Sequence, residues 1–490
     1  MRKIKNLNLH PITNSLTHEY VFVDNELQES LKRLDFWSIF SRRGISVKRT
    51  GYPVRQVVFT LLVWVLLNHP SVHSFLGKFV GFFFSGGKDV LYDFLKREDI
   101  NWRAVDIELS KSVYSELKLD CEQETAFVAD DTIQQRCGKK VEGVSTHFDH
   151  TEGRCVMGQQ VVQLGLAWSG GLIPVDGQIY IGSKNVHPLN RDFVDWRSAV
   201  AKDYEAALKM NKHDILEHML KRALRAGIKA KYLIGDSWYG CRRNIRTARN
   251  LDLTAIFRMK KGNLKYRLNG KEYSLLQLYY LIKRRLESNK GCQWKTAGLQ
   301  VELDISENGN EPEWLKVRLV FSCPRNPKKD EWAAFLCTDL NMSDTKVLET
   351  YALRWGIEVF FKEAKQNMGL LKEQTGNYAC HYASIHLASI RYLLLFASMK
   401  KRGADKFGQI RDEITGKLEW IAFSTLLWEL FKAIIYGVLD QFEKIGKEVV
   451  EKIKETIQEG IMDFFEKTLQ LNSESLKIER KAEKFMAMNQ

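Results

Sequence analysis

The stretch TYALRWGIEVFFKEAKQNMGL, residues 350–370, decides how the rest of the chain is read. On a helix advancing about 100° per residue, with Arg354 at zero, Tyr351 falls near 60°, Glu358 near 40° and Lys365 near 20°. On the same wheel Leu353, Ile357, Phe360, Phe361, Ala364 and Met368 lie between about 240° and 340°, an apolar stripe that must face a core. Glu363 lands near 180°, where a solvated charge is expected. A lone Arg354 to Glu358 pair would be an ordinary helix salt bridge worth a few tenths of a kcal/mol. Tyr, Arg, Glu and Lys in one arc beside a buried seam instead make a phosphate-gripping face that contains an acid.

Two further acids stand at the ends of apolar strands. Residues 124–132, ETAFVADDT, read as a strand that delivers Asp130 and Asp131. VMGQQVVQLGLAWSGG (156–171) and LIPVDGQIYIG (172–182) continue an antiparallel meander, rich in β-branched and aromatic residues and punctuated by Gly and Pro. Two helical segments, VDWRSAVAKDYEAALKM (194–210) and DILEHMLKRALRAGI (214–228), lead to the strand KYLIGD (231–236), which ends in Asp236, and then to LTAIFRM (253–259). Strands followed by helices alternating with short strands argue a mixed α/β fold. An aspartate at the end of a buried strand is costly unless it is hydrogen-bonded, caps a turn or faces a cation. Turn formation alone would account for one such residue. Two of them with Glu358 compose an all-oxygen site of the kind that suits Mg²⁺ or Mn²⁺. Two such ions about 4 Å apart can activate a water or a 3′-hydroxyl and stabilise the leaving oxygen of an in-line displacement.

Composition agrees with a polyanionic substrate. The 490 residues carry 74 Lys and Arg against 60 Asp and Glu, a formal charge of +14, so nucleic acid is the first candidate partner. With 44% hydrophobic and 27% charged residues the chain is globular, long enough for two to four domains. The 8 cysteines show neither a C-x-x-C pair nor zinc-finger spacing and are expected to be reduced thiols. MRKIKNLNLH lacks the apolar core of a signal peptide. The most membrane-like run, Val57 to Leu67, falls short of the ~20 apolar residues that a spanning helix needs. A cytoplasmic protein with no membrane partner is expected.

Along the chain, residues 1–120 read as helical with basic clusters at Arg42, Arg43, Lys48 and Arg49, a candidate DNA-binding region. Residues 121–259 and 342–415 form the two parts of the α/β core, and a β-rich block at 260–341 interrupts them. That block holds KYRLNGKEYSL with a type I′ hairpin signal at Asn269-Gly270, then LQVELDI, LKVRLVFS and WAAFLCTDL. Ser343 and Asp344 supply an N-cap and an acidic first turn for the helix of the opening stretch. Residues 416–490 are helical and charged, suited to a dimer interface or to internal packing. His213 and His218, like His381 and His386, are about 140° apart on a helix and share no metal from one face. His147 and His150 read as loop residues without a role.

The residues just named resemble the DDE transposases of bacterial insertion sequences, specifically the insertion-sequence-four type with its Y-x2-R-x3-E-x6-K signature, here Tyr351, Arg354, Glu358 and Lys365. The resemblance covers roughly residues 120–400. It implies an RNase H-like mixed sheet flanked by helices, interrupted by a β-rich insertion, with helical N- and C-terminal regions. It also implies a metal triad of Asp130, Asp236 and Glu358, with Asp131 an alternative first ligand if the register slips by one. Within that picture two Mg²⁺ or Mn²⁺ ions are held, Tyr351 and Arg354 contact phosphates near the cleavage point, and Lys365 grips the backbone close by. The insertion is expected to help hold the transposon end, with Trp294 and Trp314 as candidates to stack a flipped base. Lys283 to Arg285, with Lys328 and Lys329, suit backbone contacts.

The expected activity is metal-dependent cleavage at the terminal inverted repeats of the protein's own element and joining of the freed 3′-hydroxyl to target DNA. A homodimer pairing the two ends in the bacterial cytoplasm, associated with the nucleoid, would do this work. The competing readings are a non-catalytic or domesticated DNA-binding protein and a general RNase H-like nuclease.

Overall fold

The computed structural model describes residues 26–43, 51–66, 87–120, 124–150, 152–288, 294–307, 311–328 and 330–403, with isolated residues and short helical pieces elsewhere. Lys48, Arg49, Lys329, Cys121 and Cys292, and nearly all of 416–490, lie outside them. The chain divides into two units, one of residues 1–97, 372–374 and 394–490, the other of residues 98–371 and 375–393.

Among the described residues the first unit is helical, with Glu26–Arg33, Phe36–Arg42, Val54–Val63 and Lys88–Leu95. The run LQESLKRLDFW (27–37) breaks at Asp35, whose φ of 53° is left-handed. Val57 to Leu66 is buried throughout, and its helix of 10 residues is too short to span a bilayer. The helix Tyr378–Arg402 is long and apolar enough to do so by composition, yet its residues from Tyr378 to Met399 are buried within the protein.

The second unit is built on a 12-stranded mixed sheet flanked by helices. Its strands are β1 (Ala126–Gln135), β2 (Ser145–Asp149), β3 (Arg154–Trp168), β4 (Gly171–Tyr180), β5 (Tyr232–Gly235), β6 (Thr254–Arg258), β7 (Lys265–Leu268), β8 (Lys271–Ser274), β9 (Glu287–Ser288), β10 (Trp294–Asp304), β11 (Trp314–Pro324) and β12 (Ala333–Cys337). β1, β3 and β4 form the antiparallel meander, and β5 and β6 run parallel to β1. The spatial order β4-β3-β1-β5-β6 with those directions is an RNase H-like core.

β2, which includes His147, is a strand where a loop was expected. The β-rich block joins the core sheet, because β12 pairs antiparallel with β6 and extends it through β11, β10, β7 and β8. The Asn269-Gly270 turn has φ of 51° and 78°, as a two-residue hairpin of this hand requires.

Core position follows from burial. Ala126 to Ala129 and Tyr232 to Gly235 are completely enclosed, and each strand meets solvent at its next residue, Asp130 or Asp236. Buried ion pairs pin helices to the same sheet. Arg103 on helix Trp102–Glu116 and Arg222 on helix Lys212–Arg225 both bind Asp176 of β4. The six described cysteines are free thiols.

Candidate active site

β1 and β5 are neighbouring parallel strands in a register that pairs Ala129 with Gly235. The next residue on each is an aspartate, so Asp130, the fifth of the 10 residues of β1, and Asp236, just past the end of β5, lie side by side where the β1–β5 pairing stops, on strands about 4.8 Å apart. Asp236 Oδ1 accepts from the backbone N–H of Trp238 at 2.9 Å and of Tyr239 at 3.3 Å, which folds the turn after β5. Asp130 Oδ1 accepts from the N–H of Asp131 at 2.9 Å and its Oδ2 from Arg354 at 3.2 Å. Burial, reinforced by the negative charges of Asp236 and Asp131, pushes the Asp130 carboxyl up to about 7, although the Asp131 N–H and Arg354 pull the other way.

The aspartate doublet divides its partners. Asp131 Oδ2 pairs with Lys212 Nζ at 2.9 Å, and its Oδ1 accepts from Gln160. The phenol of Tyr239 is completely buried without a hydrogen bond of good geometry, and desolvation together with the charges of Asp131, Asp130 and Asp236 raises its pKa well above the ordinary tyrosine value.

The opening stretch is two helices rather than one. Asp344–Ala352 ends, Leu353 and Arg354 form a tightened turn with hydrogen bonds three residues back, and Trp355–Gln366 begins. The break brings the backbone onto β4, where a Cβ at Gly356 would come within 3.0 Å of the Leu172 Cβ. Ser343 caps the first helix through Lys346 N–H at 3.3 Å, as expected. Ile357, Phe360, Phe361 and Ala364 form the buried face of the second.

Arg354 donates to Glu358 as well as to Asp130, so one guanidinium links a carboxylate of the helix to one of the sheet. Tyr351 packs edge-on against Phe335, 4.7 Å between ring centroids, and desolvation raises its pKa. Lys365 Nζ donates to the carbonyl of Ile133 at 2.8 Å, further along β1 than Asp130, and desolvation lowers its pKa. Glu363 is half-buried rather than solvated, because Asn367 Nδ2 donates to it at 2.6 Å where the helix ends.

The two candidate tryptophans part company. Trp294 is half exposed and lines a cavity of about 880 Å³ with Trp332, Arg258, Lys261, Tyr351 and Arg354. Trp314 faces Asp304 at the opposite end of the β10–β11 ladder, roughly 33 Å away at ~3.3 Å per residue. Arg267 covers its ring at 3.9 Å and is itself paired with Glu302. Lys283 to Arg285 and Lys328 are exposed. The arginines of helix Arg242–Asn250 are committed internally: Arg242 to Asp304, Arg243 to Asp214, Arg246 to Glu307 and Arg249 to Glu313.

His147 is buried and bonds Ser145 Oγ at 2.9 Å, and burial pushes its pKa down to about 4. His381 and His386 are buried partners of Gln159 and Asp106. Sequence reasoning passed over Lys212, Trp238, Tyr239 and Arg258. The only signal was the pair of aromatics that follows Asp236 and Ser237.

Among the described residues no three His, Cys, Asp or Glu side chains converge closely enough to hold a metal ion. Asp236, Asp130 and Glu358 form a chain instead, its second link a guanidinium. The donor set nevertheless fits a hard divalent cation in its chemistry: three carboxylates with no nitrogen or sulfur ligand, two of them already sharing one cation.

Residues 84–271 match the family model described as DDE superfamily endonuclease, and residues 197–394 that described as transposase DDE domain. Together the matches support a transposase or endonuclease of the DDE superfamily. No curated protein matches the chain. Among solved structures, the NurA nuclease from Sulfolobus solfataricus is 12% identical, with 65% of this chain and 98% of that chain covered at a TM-score of 0.22. The Drosophila P element transposase strand transfer complex is 9% identical, with 77% and 87% covered at a TM-score of 0.21.

Proposed function

We propose that the chain is a transposase of the insertion-sequence-four type that cleaves DNA at the ends of its own element and joins the freed 3′-hydroxyl to target DNA. The observation that supports this most directly is the side-by-side placement of Asp130 on β1 and Asp236 just past β5, with Arg354 tying Glu358 to the same point. Asp130, Asp236 and Glu358 are the residues that would hold Mg²⁺ or Mn²⁺, two ions in the full arrangement. When bound, these supply Lewis-acid activation of the attacking hydroxyl and stabilise the leaving oxygen.

The chain's own groups do the rest. Arg354 carries a planar fork of donors suited to a phosphate, and Tyr351 backs it from the cavity side. Lys365 and the exposed Lys283, Arg284 and Arg285 would contact the DNA backbone, adding affinity and salt dependence rather than sequence reading. Trp294, at the cavity that also reaches Tyr351 and Arg354, is the better placed of the two tryptophans to stack a flipped base. Residues 1–120 are assigned to DNA binding and 416–490 to dimerisation, and the synaptic complex is a homodimer acting in the bacterial cytoplasm.

The test is cleavage of DNA carrying the inverted repeats that flank the coding region. Wild type with Mg²⁺ should cut at the repeat ends. Asp236→Ala and Glu358→Ala should bind the same DNA and leave it intact. A wild-type protein that binds the ends but never cuts them would leave only a DNA-binding role, and equal cutting of unrelated duplexes would point to a general nuclease.

A further inference from the structure

We propose that the exposed indole of Trp238 is a stacking platform for an unpaired nucleobase of the DNA strand that enters beside Asp130 and Asp236. The inference rests on reading the site as a DNA-processing centre. It concerns a surface separate from the Trp294 cavity, which meets the site through Tyr351 and Arg354.

Trp238 is 51% exposed although the next residue, Tyr239, is completely buried. The indole is nevertheless fixed in place. Its backbone N–H is held by Asp236 Oδ1, so the ring starts two residues from a candidate ligand. The ammonium of Lys212 lies 4.5 Å from the ring centroid. The imidazole of His213 stacks on it at 6.4 Å and 10° between planes. His213 is held in turn by Asn244 at 3.1 Å. A large aromatic surface left in water on a rigid turn, beside carboxylates that would act on a phosphodiester, matches the recognition of a base by its face.

The electrostatics narrow the ligand further. Lys212 under the indole is ion-paired with Asp131 at 2.9 Å, so its charge is balanced within the protein and is not offered to a phosphate. Trp238 should therefore contribute stacking without counterion release, and only where a base is unpaired. A duplex end or a strand opened at the cleavage point presents such a base; an intact duplex does not.

The test uses the full chain without added metal and two probes: a blunt duplex, and the same duplex with a single-stranded overhang carrying the fluorescent base aminopurine. Wild type should bind the overhang probe more tightly and quench its fluorescence. Trp238→Ala should abolish the quenching and weaken overhang binding by about 5- to 140-fold, the equivalent of ~1–3 kcal/mol per stacked base. Blunt-duplex affinity and the slope of affinity against salt should stay as in wild type. Trp238→Phe should keep most of both signals. Unchanged overhang affinity in Trp238→Ala, equal losses on both probes, or a changed oligomeric state with quenching intact would each overturn the proposal. If wild type cuts its ends and Trp238→Ala binds like wild type, the platform fails and the transposase reading stands. If wild type quenches the overhang but cuts nothing, the reverse holds.

Discussion

The guanidinium of Arg354 donates to the carboxylate of Asp130 at 3.2 Å across 224 positions of sequence. That contact fastens the start of the helix Trp355–Gln366 to the middle of β1, where its pairing with β5 stops. The same guanidinium holds Glu358, so Arg354 orders both carboxylates that it would otherwise only neighbour. In a half-buried site, removing one partner of such a pair costs more than the pair contributes, because a charge is left uncompensated. Arg354→Ala should therefore lower the rate of end cleavage on the order of 10²-fold or more, in line with the loss of one preorganised donor at a reacting phosphate. Arg354→Lys, which keeps the charge but loses the fork, should recover only part of it. Cleavage rates on a labelled end, measured at saturating Mg²⁺, decide this.

Asp130 should give the metal-free protein an unusual pH dependence. Its carboxyl is raised from an ordinary 3.8 to about 7, so between those values the folded state holds a proton that the unfolded state has lost. Stability contributed by this group is present below about pH 4 and is lost as pH rises towards 7, a difference on the order of a few kcal/mol at ~1.4 kcal/mol per unit. His147 works in the opposite direction, since its pKa is pushed down to about 4 and it costs stability as pH falls below the ordinary 6.5. The difference between wild type and Asp130→Asn isolates the aspartate. Melting temperatures across pH 4–8 should show the variant gaining on wild type as pH rises, and a parallel pair of curves would refute the shift.

The doublet gives a third prediction. Asp130 turns to Arg354, whereas Asp131 is committed to Lys212 and Gln160. Asp130→Asn should abolish both cleavage and Mn²⁺ binding measured by calorimetry. Asp131→Asn should retain Mn²⁺ binding and lose activity only in part, through the released Lys212. The reverse pattern would make Asp131 the first ligand.

Much of the fold is legible in the sequence because local rules and tertiary structure agree there. ETAFVADDT and KYLIGD read as strands since their apolar runs end in acids, and both strands surface at those acids. Asn269-Gly270 reads as a hairpin because few other pairs tolerate two positive φ values. The face of Ile357, Phe360, Phe361 and Ala364 is legible from period alone. Other features depend on partners distant in sequence. The Ala129 to Gly235 register is set by the packing of the whole sheet, and the pairing of β12 with β6 merges the inserted block into the core. The break at Leu353 and Arg354 answers to Leu172, nearly two hundred residues upstream. A helical wheel assumes that no such neighbour exists, so it placed Tyr351 and Lys365 on one face. In the structure Tyr351 packs at the cavity and Lys365 ends on β1.

The turn that shapes the second aspartate supplies the last prediction. Within Asp236-Ser237-Trp238-Tyr239-Gly240 the N–H of Gly240 closes onto the Asp236 carbonyl at 3.1 Å. At Gly240 the backbone passes so near β6 that a Cβ would press into the carbonyl oxygen of Arg258, an atom of the sheet that cannot turn aside. Gly240→Ala must therefore move the turn or the strand, at a cost typical of overpacking, ~1–3 kcal/mol. Because Trp238 and Tyr239 N–H groups converge on Asp236 from the same turn, the carboxylate should lose its orientation before the fold is lost. Urea unfolding should show a lower midpoint with an unchanged slope, the mark of reduced stability without a change in the surface exposed. Mn²⁺ affinity should fall in the same variant under conditions where it remains folded. A variant with the wild-type midpoint and metal affinity would show that the turn relaxes freely and that Gly240 has no part in presenting Asp236.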